Sequence, residues 1–307
     1  MKENARASSL NDELLRVIKG VVKFDEPLES HTSFRIGGPA DIFIVPLDKE
    51  DLRNAVILSK KYKAPLDIIG NGTKILVPDK GVRGVVIKIS NVLNKVRFIG
   101  ERVIAGSGMS LSQLSTLAAE RMLSGLEFAV GIPGTVGGAV VMNAGAHGRS
   151  VGDVITSVTV MNMNGQVHKM SGKQLGLCYR KSVLQDTKEI VLNATCVLEK
   201  GEAQEIRQKI AELVQWRKKT QPLDLPNAGS IFRNPEGEYA GRLIESVGLK
   251  GLRVGDAQVS THHANFIVNL GKAKAEDVMT IIHTIREKVR EKFGIDLAPE
   301  IRVIGEQ

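Results

Sequence analysis

The chain of 307 residues has few of the residue types that mark several protein classes. Its two cysteines, Cys178 and Cys196, have no metal-ligand spacing, so we expect two reduced core cysteines and neither a metal site nor a disulfide framework. Aromatic residues make up only 4% of the chain, which leaves little surface for stacking nucleic-acid bases. No apolar run approaches the roughly 20 residues of a membrane span. The N-terminus also lacks an apolar signal core, so a cytoplasmic location without membrane insertion is expected.

Positive charge is in excess, with 42 lysines and arginines against 34 acidic residues and a formal net charge of +8. This excess is compatible with nucleic acid, with an anionic small substrate, or with solubility alone. The basic residues are spread over helical segments such as 207–219 and 286–292, where glutamate is interleaved. Together with the scarcity of aromatics, this distribution disfavours nucleic-acid binding.

Hydrophobic periodicity predicts a chain of alternating strands and helices. Helices are predicted at 48–62, 110–122, 202–219, 239–247 and 275–293. Strands are predicted at 41–46, 66–69, 85–89, 102–105, 154–161, 166–170, 190–198, 264–270 and 299–305. Asp48 and Ser110 are placed to cap the starts of two helices, and Gly294 to close another. The two prolines of "QPLDLPNAGS" (221–230) indicate a domain boundary or a site loop.

Two glycine-rich segments stand out: the first glycine stretch, "IGNGTKILV" (69–77), and the second, "GIPGTVGGAVVMNAGAHG" (131–148). The first is not a Walker loop, because Gly72-Thr73-Lys74 has the wrong order and no helix is predicted after it. Neither has Gly-x-Gly-x-x-Gly opening a helix after a strand, which disfavours a Rossmann site. Successive amides in two such loops could hold a diphosphate between them. From the glycines alone, two structural corners are an equal alternative.

Ordered blocks along nearly the whole chain resemble those of the UDP-N-acetylenolpyruvoylglucosamine reductase family. The blocks are "HTSFRIGGPAD" (31–41), "GNGTKILVPDKGVRGVVI" (70–87), "GLEFAVGIPGTVGGAVVMNAGAHG" (125–148), "CYRKS" (178–182), "NAGSIFRNP" (227–235), "AGRLIESVGLKG" (240–251), "HHANFIVN" (262–269) and "PEIRVIG" (299–305). Their order and span make the resemblance more specific than any single glycine motif. The length and the C-terminal blocks are similar to the shorter form of the family, which lacks an additional loop.

The resemblance implies an α+β fold: an FAD-binding domain of the vanillyl-alcohol oxidase (PCMH) type in two α/β subdomains, plus a C-terminal α/β substrate-binding domain. The subdomains would span 1–100 and 101–215 and the substrate-binding domain 216–298, with 299–307 as a C-terminal strand returning to the active site. The implied reaction uses non-covalent FAD, and NADPH as the reductant. It converts UDP-N-acetylglucosamine enolpyruvate to UDP-N-acetylmuramate for peptidoglycan synthesis.

The resemblance implies three catalytic residues, Arg180, Ser230 and Glu300. Reduction of an enolpyruvyl double bond leaves negative charge beside a carboxylate, so the site needs a fixed cation and a proton donor. Ser230 matches the family's proton donor, and the planar fork of Arg180 suits a carboxylate or enolate. Glu300 would either supply a proton or tune Ser230. Without the resemblance, the three would be interpreted as a turn serine, a surface arginine and an exposed strand-end charge.

Binding residues are also implied by the resemblance. Those expected at the FAD are Gly70, Asn71, Gly72, Thr73, Lys74, Gly131, Ile132, Pro133, Gly134, Gly137, Gly138, Asn143, Gly145 and Ala146. Because the family usually has Ser-Asn in place of Thr73-Lys74, Lys74 would either meet the FAD diphosphate or point to solvent. Those expected at the substrate are Gln221, Asn234 and His263, with Arg233 and Lys218 as anchors for the UDP phosphates. A generic surface or loop role is an alternative for each substrate residue.

Two other functions remain compatible with the sequence. An FAD-dependent oxidase or dehydrogenase of the same fold would keep both glycine stretches, but it does not need Arg180, Ser230 and Glu300 together. A non-enzymatic nucleotide-binding or nucleic-acid-binding protein is suggested only by the basic composition, and its binding would depend strongly on salt.

Overall fold

The computed structural model describes residues 2–90 and 92–305, and Met1, Asn91, Glu306 and Gln307 lie outside the described residues. Met1 and Asn91 belong to the predicted segment 1–100, and Glu306 and Gln307 are the last two residues of the predicted segment 299–307. The helices are α1 (Lys2–Val17), α2 (Lys49–Lys61), α3 (Leu111–Ala119), α4 (Val136–Val141), α5 (Leu184–Thr187), α6 (Ala203–Thr220), α7 (Ala240–Ser246) and α8 (Ala275–Phe293). No helix of the described part of the chain is long and apolar enough to cross a membrane.

The strands are short, and most pair in antiparallel fashion. They are β1 (Val21–Pro27), β2 (Pro39–Val45), β3 (Leu66–Ile69), β4 (Ile75–Leu76), β5 (Val82–Lys88), β6 (Val96–Ile99), β7 (Arg102–Gly106), β8 (Leu123–Ser124), β9 (Gly145–Ala146), β10 (Arg149–Ser150), β11 (Ile155–Met161), β12 (Val167–Ser171), β13 (Ile190–Val197), β14 (Glu199–Lys200), β15 (Asn227–Ser230), β16 (Arg253–Val254), β17 (Ala257–Val259), β18 (Phe266–Asn269) and β19 (Arg302–Val303).

The chain divides into two compact units. Unit 1 comprises Met1–Phe24, Ile42–Asn71 and Gly84–Gln215, and unit 2 comprises Asp25–Asp41, Gly72–Arg83 and Trp216–Gln307. The last segment of unit 2 starts where the substrate-binding domain is predicted to start. Segments 25–41 and 72–83 belong to unit 2, although the sequence prediction placed them in the first FAD-binding subdomain.

Unit 1 contains a five-stranded antiparallel sheet in the order β12-β11-β13-β7-β6. It also contains most of a four-stranded sheet in the order β1-β2-β5-β3, in which β3 and β5 are parallel. Helix α3 buries Leu111, Leu114 and Ala118 at helical spacing, in one core with the inner side chains of the five-stranded sheet. A second core in this unit joins Leu52 and Val56 of α2 to side chains of the four-stranded sheet.

Unit 2 is built on the antiparallel sheet β15-β18-β17-β16 and on helix α8. Helix α8 buries Val278, Ile281, Ile282, Ile285 and Val289 at the predicted helical spacing. Strand β19 pairs in parallel with β4, so the C-terminal strand joins a segment from early in the chain.

Local signals predicted the helix ends correctly. Asp48 accepts the amide of Asp51 at 2.9 Å and Ser110 that of Gln113 at 3.4 Å, each as an N-cap. Gly294 closes α8 in the left-handed conformation, with φ +70°. These ends were predictable because a cap depends only on residues within one helical turn.

Three sequence expectations need correction. Cys178 is exposed, so it is not a core residue, whereas Cys196 is buried and burial raises its pKa to about 12. The second glycine stretch, treated as a loop, contains helix α4, because Thr135 caps that helix despite its two glycines. Within the described part of the predicted strand 299–305, only Arg302–Val303 forms a regular strand, and Pro299 makes an isolated antiparallel bridge with Phe232.

Candidate active site

The two glycine stretches meet inside unit 1. A Cβ on Gly70 would lie only 2.5 Å from Thr135 Oγ1, and that oxygen accepts the amide of Gly138 at 3.3 Å. A Cβ on Gly137 would lie 2.9 Å from Ser107 Cβ. Glycine at 70 and 137 is therefore required by close packing around the start of α4, whatever else binds there.

The first turn of α4 directs its amides to the protein. Val136 donates to Met109 O and Gly137 to Ser107 O, both at 2.8 Å, while Gly138 donates to Thr135. These three amides are engaged, so a bound diphosphate would have to be held by other groups. Pro133 and Gly138 are nonetheless exposed, and a Cβ on Gly138 would meet only Thr135 Oγ1, at 3.5 Å. This open backbone surface fits a cofactor that packs on the main chain.

The end of the second stretch is held by contacts within unit 1. Asn143 is buried, its Nδ2 donates to Cys178 O at 2.8 Å, and its Oδ1 accepts the amide of Gly152 at 3.0 Å. A Cβ on Gly145 would lie 2.3 Å from Arg149 O, since β9 and β10 form a tight hairpin. Packing explains these residues, and their contact with FAD stays a prediction.

The remaining predicted cofactor residues are exposed or half-buried, except for Gly72, which is buried. In unit 1 these are Asn71, Gly131, Ile132, Gly134 and Ala146, and in unit 2 they are Gly72, Thr73 and Lys74. Gly72 is buried with φ +65°, and a Cβ there would lie 2.1 Å from His31 O. Only glycine fits that position.

Lys74 lies against the predicted catalytic residues of unit 2. Its Nζ donates to Ser230 O at 2.6 Å and forms an ion pair with Glu300 Oε1 at 3.1 Å. The side chain of Lys74 is 24% exposed and that of Glu300 9%. The ammonium therefore does not extend into solvent, which was one of the two sequence expectations for it.

Ser230 and Glu300 are brought together by backbone pairing. Ser230 ends β15 directly after Gly229, which has φ +72° and so needs the freedom of glycine. The amide of Glu300 donates to Ile231 O at 2.7 Å, and the amide of Arg233 donates to Ala298 O at 2.9 Å. The segment that carries Glu300 therefore runs beside the residues that follow Ser230.

Asn265 reinforces this segment, and the sequence prediction missed it. Its Oδ1 accepts the amide of Phe232 and its Nδ2 donates to the carbonyl of the same residue, both at 2.9 Å. The carbonyl of Asn265 also accepts the amide of Ile231 at 2.8 Å. The available signal was an asparagine within the apolar run "ANFIVNL", because buried amides are retained where they satisfy backbone groups.

Arg180 lies in unit 1 at a strained turn. The backbones of Cys178 and Lys181 exchange two hydrogen bonds of 3.1 Å, and Arg180 between them has φ +55°. Gln185 Nε2 holds the Arg180 carbonyl at 3.1 Å. A left-handed conformation is unfavourable for a residue with a side chain, and such strain is concentrated at functional sites.

Two predicted substrate residues in unit 2 have clear hydrogen-bond assignments. His263 Nδ1 accepts the amide of Asn265 at 3.2 Å, its ring centroid lies 4.9 Å from that of Phe266, and burial lowers its pKa. The imidazole is thus held neutral, with Nε2 as its donor. Asn234 Oδ1 accepts the amide of Ala240 at 3.1 Å and so caps α7.

The other residues proposed for the substrate follow or lie on helix α6, or lie beside Ser230. Gln221 continues the C-terminal turn of α6 by donating its amide to Arg217 O, and Lys218 is exposed on that helix. Arg233 Nε is buried and has no hydrogen-bond acceptor within residues 2–90 and 92–305. A buried guanidinium nitrogen without an acceptor suits an anionic ligand.

Comparison with known families identifies both parts of the chain. A model described as an FAD binding domain matches residues 40–171. A model described as the C-terminal domain of UDP-N-acetylenolpyruvoylglucosamine reductase matches residues 221–304. Together they agree with the predicted fold class.

Relatives that share nearly the full length are reductases by name. The chain is 46% identical over 302 residues to the UDP-N-acetylenolpyruvoylglucosamine reductase of Caldanaerobacter subterraneus subsp. tengcongensis, covering 98% of this chain and 100% of that one. It is 48% identical over 295 residues to that of Alkaliphilus oremlandii, covering 96% and 97%.

A solved structure extends the comparison to the fold. The crystal structure of the Thermus caldophilus UDP-N-acetylenolpyruvylglucosamine reductase aligns with a TM-score of 0.80 and 37% identity, over 93% of this chain and 99% of that one. The predicted fold class and family are thereby confirmed. The chain belongs to the UDP-N-acetylenolpyruvoylglucosamine reductase family and is an FAD-dependent oxidoreductase.

Proposed function

We propose that this enzyme uses NADPH, through non-covalent FAD, to reduce UDP-N-acetylglucosamine enolpyruvate to UDP-N-acetylmuramate for peptidoglycan synthesis in the cytoplasm. The observation that carries the proposal is the pairing of the Glu300 amide with Ile231 O at 2.7 Å, beside Ser230. It puts a hydroxyl and a nearly buried carboxylate on adjacent segments of unit 2. Protonation of a carbon requires a positioned proton donor, and an acceptor beside that donor can orient its hydroxyl.

The two glycine stretches would hold FAD. The exposed backbone at Pro133 and Gly138 supports this assignment, because a flat ring or an extended diphosphate packs closely where no side chain intervenes. When bound, FAD supplies the two-electron chemistry that links NADPH to the substrate. The protein residues then bind the substrate, stabilise charge and move a proton.

Each predicted catalytic residue has a role in this chemistry. The Arg180 guanidinium stabilises the negative charge that develops at the enolpyruvyl carboxylate. Ser230 Oγ donates the proton to the carbon that carries this carboxylate. Glu300 orients the hydroxyl of Ser230 and is not the direct proton source.

The substrate contacts follow from chemical type. Arg233, whose buried Nε has no acceptor among the described residues, would bind a phosphate of the UDP group, with Lys218 as a second anchor. His263 is neutral and would donate from Nε2. Gln221 and Asn234 would add amide contacts.

Separate measurement of the two half-reactions tests the proposal. NADPH should bleach the flavin absorbance of the purified protein, and the enolpyruvyl nucleotide should restore it without oxygen and yield UDP-N-acetylmuramate. Ser230→Ala should keep the rate of bleaching but slow restoration by roughly 10²–10⁴-fold, the usual contribution of a general acid. A variant that slows both steps equally would contradict the role of Ser230.

The wild-type protein provides the control. Bleaching by NADPH without restoration by the enolpyruvyl nucleotide would favour an oxidase or dehydrogenase acting on another substrate. If NADH bleaches the flavin and NADPH does not, and the nucleotide then restores the absorbance, the assignment of NADPH would be contradicted.

A further inference from the structure

One ammonium group bridges two of the predicted catalytic residues. Lys74 Nζ donates to the main-chain carbonyl of Ser230 at 2.6 Å and lies 3.1 Å from Glu300 Oε1. A Cβ on Gly229 would lie 3.4 Å from the same nitrogen, so no side chain stands between the lysine and the end of β15. All four residues belong to unit 2.

The lysine is itself fixed by backbone pairing. Lys74 immediately precedes β4, and its carbonyl accepts the amide of Arg302 at 3.0 Å. Arg302 follows Glu300 by two residues. The parallel pairing of β4 with β19 therefore sets the separation between the lysine and the glutamate. An ammonium on a flexible stem becomes a fixed charge when its backbone and its head are both held.

The carboxylate needs this charge. Glu300 is 8% exposed, and transferring an ionised carboxylate from water to such a site is unfavourable unless a cation and hydrogen-bond donors compensate. The ion pair with Lys74 supplies that compensation. Paired in this way, Glu300 is a hydrogen-bond acceptor, and an acceptor can orient a neighbouring hydroxyl through a hydrogen bond.

We infer that Lys74 is a positioning residue for the protonation step: its ammonium fixes the side chain of Glu300 and the backbone of Ser230 at the end of β15. This inference rests on the proposed function. It assigns Lys74 to proton delivery, although the sequence predicted it to contact the FAD diphosphate. Two of the three ammonium donors point at Ser230 and Glu300, which supports the former role.

Three variants at this position separate charge from hydrogen bonding. Lys74→Met removes both, Lys74→Gln keeps a donor for the Ser230 carbonyl, and Lys74→Arg keeps the charge. We expect Lys74→Met to bind FAD, and we expect NADPH to bleach its flavin at a rate within about twofold of the wild-type rate. Flavin restoration by the enolpyruvyl nucleotide should slow roughly 10- to 100-fold, the cost of a misplaced catalytic group. Lys74→Arg should recover most of the rate, and Lys74→Gln should fall between.

A double variant tests whether Lys74 acts through Glu300. Within a Glu300→Gln background there is no carboxylate to hold, so Lys74→Met should slow restoration by a smaller factor than it does in wild type. If Lys74→Met slows restoration by the same factor in both backgrounds, the inference is overturned. It is also overturned if Lys74→Met loses FAD or is bleached more slowly, while the flavin that stays bound is restored at the wild-type rate. If Lys74→Met fails to fold, Lys74→Gln carries the same comparison.

Lys80→Met is the matched control, since Lys80 is exposed in the same segment of unit 2, and this variant should behave as wild type. If the enolpyruvyl nucleotide does not restore the flavin absorbance of the wild-type protein, the proposed function is contradicted, whatever the Lys74 variants do. A normal wild type with an unimpaired Lys74→Met would contradict the role of Lys74 alone.

Discussion

At the scale of single residues, the glycines of 131–148 have two separable reasons to be present. Gly137 packs on Ser107, so a side chain there meets protein. Gly138 is exposed, and a Cβ there makes only an ordinary contact of 3.5 Å with Thr135. A requirement for glycine at 138 would therefore come from a ligand, since the fold does not impose it.

We expect Gly138→Leu to fold normally and to lose affinity for FAD. Leucine is favourable inside a helix such as α4, so stability should not suffer. Overpacking of a close contact costs about 1–3 kcal/mol, which raises the Kd for FAD by roughly 5- to 150-fold. Flavin titration of the apoprotein measures the Kd, and circular dichroism checks the fold.

Two variants complete this comparison. Gly138→Ala is the small control and should bind FAD with a Kd closer to wild type. Gly137→Leu should lose both fold and FAD because of its contact with Ser107. Unchanged FAD affinity in Gly138→Leu would assign the second glycine stretch to structure alone at this position.

The three predicted catalytic residues came from the resemblance, and the partner that one of them has in the structure was not predicted. Arg180, Ser230 and Glu300 were selected through whole blocks of resemblance. The contact of Lys74 with Glu300 was not predictable, because it depends on the pairing of β4 with β19, two strands of two residues each. Such short strands carry no periodic signal.

At the scale of elements, prediction succeeded where an element encodes its own ends. Helix α8 spans Ala275–Phe293, as its apolar spacing and Gly294 predicted. Helix α4 was missed because glycine disfavours helix locally, while packing on Ser107 and the cap at Thr135 favour it. Helix α1 was not predicted from the sequence either.

The start of α8 depends on a residue far away in the chain. Asp79 Oδ1 accepts the amide of Ala275 at 2.8 Å and Oδ2 that of Glu276 at 3.1 Å. The first amides of a helix lack partners within it, and a carboxylate also interacts favourably with the positive end of the helix dipole. Asp79 therefore satisfies the first two amides of α8 from another segment of unit 2.

We expect Asp79→Ala to lower the free energy of unfolding by about 1–2 kcal/mol, the cost of a lost cap. Asp79→Asn, which keeps one oxygen acceptor, should lose about half as much. Urea denaturation measures both, and hydrogen exchange at the Ala275 and Glu276 amides locates the effect. The neighbouring exposed Lys80→Ala should change neither quantity, and equal stability of Asp79→Ala and wild type would contradict the capping role.

At the scale of the whole molecule, the compact units do not follow the order of the chain. Unit 2 combines 25–41 and 72–83 with everything from Trp216 onward. Phe34, Ile36 and Leu76 come from the two early segments, and each is at most 2% exposed in the core that α8 and β18 also form. A sequence-based division into consecutive domains cannot represent this, because local patterns do not reveal which distant segments share a core.

A fragment of residues 1–215 tests this organisation. It contains the whole segment matched by the FAD binding domain model, yet it leaves Phe34, Ile36 and Leu76 without the core that buries them. Exposing each such side chain forfeits about 1.5–3 kcal/mol, so we expect segments 25–41 and 72–83 to unfold in the fragment. Limited proteolysis with mass spectrometry should find cleavage there at rates well above those in the full chain, while α3 and the five-stranded sheet stay protected.

Phe34→Ala in the full chain is the matched control and should increase cleavage of 25–41 only modestly, because the rest of the unit 2 core remains. If the fragment protects both segments as well as the full chain does, residues 1–215 form a self-sufficient domain and the contacts with the C-terminal segment contribute little to their folding.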